Sequence, residues 1–237
     1  LTLKDLPELN QIDVNEETTF PIWDVKIGAE IHDFLLDFYN RTDFEEFYKS
    51  VRNEYLAEVE KANGLLKEVN VEKLLSIWGN TVGEMIVIPM PLANRREGFG
   101  PQVNGISYQV IGGPYDHQSL HTILHEASHP RAKVILKNLL PLIDKYENLV
   151  KGIDFDNLPR VKAYKDNWRI YFEEHLIRAI QHHFINPELG FNKEEGLKYE
   201  YETGIVYIYK FEEVLRRYSK ENLDFKKIIQ EILENLK

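Results

Sequence analysis

The hydrophobic period of this chain changes twice, and those changes limit its fold more than any other feature. From Ala29 to Asn40, Ile31, Phe34, Leu35 and Phe38 recur at helical spacing. The helical pattern resumes from Thr42 to Gly64, with Phe44, Phe47, Tyr48, Val51, Tyr55 and Val59 as an apolar stripe predicted to face the core and Asp43 placed as an N-cap. Val71 to Trp78 is a shorter helical piece stopped at Gly79-Asn80. Glu84 to Pro89 and Ile106 to Ile111 are short, rich in β-branched residues and bounded by Gly, Pro and Asn, as strands are. Between them, Asn94 to Asn104 has the Gly and Pro content of a loop. After Gly112-Gly113-Pro114 the helical period returns, predicting helices over 117–129, 131–147, 158–184, 208–218 and from Phe225 to the end. Helices, a small sheet, then more helices make an α+β protein that is mostly helical. Residues 1–20 read as an extended arm and 21–237 as a single domain.

Composition narrows what such a domain can do. A chain of 237 residues that is 43% hydrophobic can bury a full core. Its longest apolar runs, such as Met85-Ile86-Val87-Ile88, have strand length, so no membrane span is expected. A net charge of −10, with both signs interspersed, argues against a nucleic-acid partner, which calls for a basic face. The absence of cysteine removes disulfides, thiolate catalysis and cysteine-ligated zinc, so any metal must sit on histidine and carboxylate. Leu1 opens the sequence without an initiator methionine. The chain reads as either a processed or a trimmed product of a soluble protein, placed outside the cytoplasm if a leader peptide was removed and otherwise of open compartment.

The chemistry concentrates in His121-Thr-Ile-Leu-His125-Glu126-Ala-Ser-His129. Residues four apart lie on the same helix face, so His125 and His129 can offer ring nitrogens to one ion. Glu126 is turned ~100° from His125, beside the ion's open position, where it can take a proton from metal-activated water. The H-E-x-x-H spacing is that of zinc metallopeptidases. His121, one turn earlier, allows a His121/His125 pair instead, but that pair leaves Glu126 without a task. Pro130 predicts that the helix stops at His129.

A catalytic zinc needs three protein ligands. A downstream helix, from Trp168 towards His183, carries Glu173 and Glu174. Periodicity does not choose between them. Glu173 falls between Ile180 and Phe184 on the apolar side, and Glu174 lies one turn before Arg178, where an ordinary ion pair is the plain reading. The set is therefore His, His and a glutamate left open at this point. For the oxyanion, His182, His183, Tyr201 and Tyr207 are the candidates.

Two segments, His125-Glu126-Ala127-Ser128-His129 and Glu174-His175-Leu176-Ile177-Arg178-Ala179, resemble those of a family of gluzincin-like peptidases catalogued as a domain of unknown function. Members carry a His-Glu-aromatic-x-His helix and later a helix reading Glu-x-aliphatic-aliphatic-Arg-Ala. Tyr55, Leu74 to Gly79, Gly98-Phe99-Gly100-Pro101 and Val110-Ile111-Gly112 are similar to its upstream landmarks, so the likeness runs from about Phe34 to the C-terminus. Ala127 departs from the aromatic usual there. The resemblance implies a zincin-like fold and Glu174 as the third ligand. It points to a zinc-dependent hydrolase, a metallopeptidase using Zn²⁺ on His125, His129 and Glu174, with Glu126 as general base. A peptide or protein is its expected substrate, laid along the Gly105 to Ile111 strand. The alternatives are a zincin fold kept as a catalytically inactive binding module, and a metal-dependent hydrolase of a non-peptide substrate.

Overall fold

In the computed structural model the described residues are 34, 37–79, 83–91, 98–100, 102–103, 106–158 and 160–236. The expected arm over 1–20 and most of the helix expected from Ala29 lie outside them, although 37–41 at its end are helical. The chain divides into two compact units, one within Leu1–Val69 and Val82–Ile123, the other within Asn70–Thr81 and Leu124–Lys237.

In the first unit, α1 (Phe44–Lys67) starts with Glu45 and Glu46 and ends with Lys67, charges that suit the helix dipole. Asp43 takes the N-cap position, but its side chain makes no capping bond. The aromatic stripe is only half-buried, and Phe47 and Val59 are exposed among the described residues. Phe44 instead packs edge-on against Phe38 and at a tilt against Phe47, ring on ring.

α1 packs on β1 (Met85–Met90), which runs parallel to β4 (Ile106–Gly112), with Met85 opposite Ser107 and Met90 opposite Gly112. The two-residue strands β2 (Gly98–Phe99) and β3 (Gln102–Val103) pair antiparallel with β4. That makes β4 an interior strand and corrects one expectation. Among the described residues it has β1 on one side and β2 and β3 on the other, so it is not an edge strand of the kind a peptide joins.

The second unit is helical. Asn70 caps α2 (Val71–Leu75) by accepting from the Lys73 N–H at 2.9 Å, and Gly79, at φ 67°, ends the following 3₁₀ turn in the left-handed conformation. Trp78 in that turn donates to Ser128 at 3.1 Å and stacks on Phe225.

α3 spans His117–Leu136 and passes straight through Pro130, so the predicted stop at His129 is wrong. Proline removes one helix donor and leaves the Glu126 carbonyl without its usual partner, but buried faces on either side carry the helix through. After α4 (Leu140–Ile143) the chain runs in 3₁₀ turns to Tyr164. The long helix predicted over 158–184 is also corrected, because α5 begins only at Trp168. Asn167 sets that start by accepting from the Ile170 N–H. α5 (Trp168–Ile180) passes into a π-helical turn, Gln181–Ile185, and is followed by α6 (Lys193–Glu202), α7 (Ile208–Leu215) and α8 (Phe225–Asn235). Phe172, Phe211, Leu215, Ile228 and Ile232 form the centre of this unit, each fully buried. No helix among the described residues is long and apolar enough to cross a membrane.

Candidate metal centre

α3 supplies three of the groups. Leu124, Ala127 and Ser128 face the interior, which turns His125, Glu126 and His129 towards α5. Ala127, where an aromatic was the familiar residue, is fully buried behind the helix. The two imidazoles stand edge to face with ring centres 4.9 Å apart. Ligand atoms of His125, Glu126 and His129 lie within 4.8 Å of one another, and His121 is not part of that group.

α5 supplies the carboxylates and separates their tasks. Glu174 Oε2 lies 3.4 Å from His125 Nε2, and Glu174 Oε1 lies 3.4 Å from His129 Nε2. Ligands held tetrahedrally at ~2.0–2.1 Å from zinc sit ~3.3–3.4 Å apart, and each of these two contacts, one from each Glu174 oxygen, has that separation. Glu173 turns to the other side of the same ring, where His129 Nδ1–H donates to Glu173 Oε1 at 2.7 Å. That bond fixes the His129 tautomer and leaves Nε2 with a lone pair. On His125, Nδ1 is buried without a hydrogen-bond partner, so Nε2 is the nitrogen that meets other polar groups. Two imidazole nitrogens and a carboxylate oxygen form a donor set suited to zinc. These residues could hold such an ion.

Burial sets the charges. It pushes His125 down to about 4, helped by the Arg178 cation, so this ring is neutral at pH 7 and free to act as a ligand. Burial also pushes the Glu126 carboxyl up to about 7, against the pull of His129 and with the Glu174 charge adding to the rise. For Glu174 burial is outweighed by Arg178 and then by the histidines, and its carboxyl stays well below the usual range. His129 is raised, because Glu173 and Glu174 overcome its burial.

Several neighbours were invisible in the sequence. Arg178 reads there as one half of a surface pair, yet it is mostly buried and bonds both Glu174 and Glu200, each at 3.0 Å. Burial, and after it the negative charge of nearby Glu174, push the Tyr164 phenol up. His175 is fully buried beside Glu174, where its Nδ1–H donates to the Tyr171 carbonyl and its Nε2 accepts from the Tyr207 N–H. The four oxyanion candidates are engaged elsewhere. His183 bonds Glu212, His182 meets Asn186 and Glu200, the Tyr207 hydroxyl donates to Leu149, and Tyr201 packs on Tyr209 at the surface. The signal that could have found Arg178 and Tyr164 is the need of a buried Glu174 for partners; nothing in the sequence marked Glu200.

Fold and site together define a mostly helical α+β protein with a histidine–carboxylate cluster on two buried helices. The chain belongs to the family described as a domain of unknown function, DUF4932, whose model matches residues 23–235. No curated protein and no solved structure matches it.

Proposed function

We propose that this protein is a zinc-dependent hydrolase of the gluzincin type with a zincin-like fold, a metallopeptidase in its activity. The observation that carries the reading is the Glu174 carboxylate lying 3.4 Å from the Nε2 atoms of both histidines. His125, His129 and Glu174 would hold the ion, with Glu173 keeping His129 in the ligating tautomer. When bound there, zinc supplies Lewis acidity and brings the ionisation of water towards neutral pH. Burial pushes the Glu126 carboxyl up to about 7, where a group can take up a proton and pass it on. It takes the proton of the attacking water and delivers it to the leaving amine. Arg178 holds Glu174 ionised.

A rival reading, a zincin fold kept without catalysis, draws on Arg178, whose Nη2 lies 3.5 Å from His125 Nε2 and can itself neutralise Glu174. Elemental analysis of the purified protein separates the two. One zinc per chain, lost in His129→Ala, is the expected result. Glu126→Gln should keep the zinc and lose at least about 10²-fold of the hydrolysis of casein or an unstructured protein. A metal-free wild type sinks the zinc reading, and an active Glu126→Gln sinks the assignment of the base. Zinc bound without proteolysis redirects the substrate to a non-peptide ester or amide.

A further inference from the structure

We propose that Glu200 is a positioning residue of the metal centre, anchoring the Arg178 guanidinium on the side away from the ligand atoms and balancing its charge so that a divalent ion can bind beside it. This rests on the reading that His125, His129 and Glu174 hold zinc.

Arg178 lies buried between two carboxylates. Its Nε and Nη2 both reach Glu174 Oε2 at 3.0 Å, and its Nη1 reaches Glu200 Oε1 at 3.0 Å. The same Nη2 is 3.5 Å from His125 Nε2, one of the nitrogens a metal needs. A fixed positive charge so close to the ligands opposes a dication, and in a buried site that repulsion is poorly screened.

Glu200 supplies the opposing charge. Its side chain is almost wholly buried on α6 and accepts from Arg160 at 2.9 Å, with His182 Nε2 3.6 Å away. Its place is set by close packing. One turn earlier on α6, a Cβ added at Gly196 would fall 2.3 Å from the His182 ring, so the helix backbone rests directly against that imidazole.

Removing the charge of Glu200 has two consequences of the same sign. The positive potential at the ligands rises. Arg178 also loses the anchor that draws it away from the centre, which leaves Glu174 and His125 Nε2 as its acceptors, and these are atoms the ion requires. Both effects weaken metal binding.

The test uses the full chain, stripped of metal with a chelator and titrated with Zn²⁺ against a chromophoric competitor, with circular dichroism as the check on folding. Glu200→Gln should raise the zinc Kd about 10–100-fold, the usual effect of losing a partner one shell out from a ligand. Glu200→Asp, which keeps the charge and shifts it by one methylene, should lose less, and it carries the comparison should Glu200→Gln fail to fold. In an Arg178→Gln background the Glu200→Gln effect should shrink to less than about threefold, because the group it acts through is gone. Wild-type affinity in both Glu200 variants, or an equal loss with and without Arg178, overturns the proposal while the metal reading stands. A wild type that takes up no zinc overturns both.

Discussion

Glu173 and Glu174 are neighbours in sequence and nearly equal in burial, yet they meet opposite nitrogens of the same imidazole. Glu174→Gln removes the charge of the proposed third ligand, so zinc affinity should fall more than about 100-fold. Glu173→Gln leaves an amide oxygen that still accepts from His129 Nδ1–H, and the loss should be nearer 10-fold. Competition titration with a chelator measures both, and equal losses would contradict the division of tasks. Periodicity could not separate the pair for a physical reason. Ten of the thirteen residues of α5 are buried, so the helix has no broad polar face to which an acid could be assigned. What distinguishes the two glutamates is the partner each one meets, and those partners come from α3 and from Arg178, itself held by α6. The histidine pair was legible because its spacing lies within one helix. The far ends of the network were not, since they depend on tertiary contacts.

The same distinction holds for whole elements. The strands at 85–90 and 106–112 and the helices α1, α7 and α8 follow the apolar period closely. α6 does not. Its sequence, Lys-Glu-Glu-Gly-Leu-Lys-Tyr-Glu-Tyr-Glu, is polar nearly all round and carries a mid-helix glycine, and by propensity alone it is a poor helix. The glycine is there because the His182 ring occupies the space a side chain would need. Gly196→Ala therefore sets two effects against each other. Helix propensity favours alanine by about 0.5–1 kcal/mol, whereas forcing a methyl into a buried ring costs about 1–3 kcal/mol. The clash should win, because His182 is itself buried and hydrogen-bonded to Asn186. A lower urea midpoint is expected, and a raised one would contradict the close approach. Pro130 is the converse case. Local chemistry ends a helix there, and the burial of α3 on both sides of it overrules that preference.

At the scale of the molecule, the order of helices, sheet and helices was readable, but the division into two units was not, because the segment Asn70–Thr81 joins the second unit from before the sheet. The interior of that unit is also more ionic than an acidic, globular composition suggests. Apart from the candidate metal centre it buries Glu212 of α7, which accepts from His183 at 2.8 Å, Lys193 at 3.0 Å and Arg216 at 3.1 Å. Burial alone would raise this carboxyl, but the three donors outweigh it and hold it down at about 2. A carboxyl depressed in the folded state stabilises the fold at pH values above its unfolded pKa, and that contribution is lost as pH falls towards the folded pKa. The window is therefore about pH 4.5 down to about 2, and the contribution is on the order of 3 kcal/mol. Urea unfolding of metal-free wild type and Glu212→Gln across this range isolates it, because the other depressed carboxyls, Glu174 and Glu200 among them, are common to both proteins. The variant should be less stable by a constant amount above pH 5, and the gap should narrow steadily below pH 4. A gap that does not change with pH would mean that Glu212 contributes through packing and neutral hydrogen bonds, and that the charge of Lys193 and Arg216 is not what holds α7 in place.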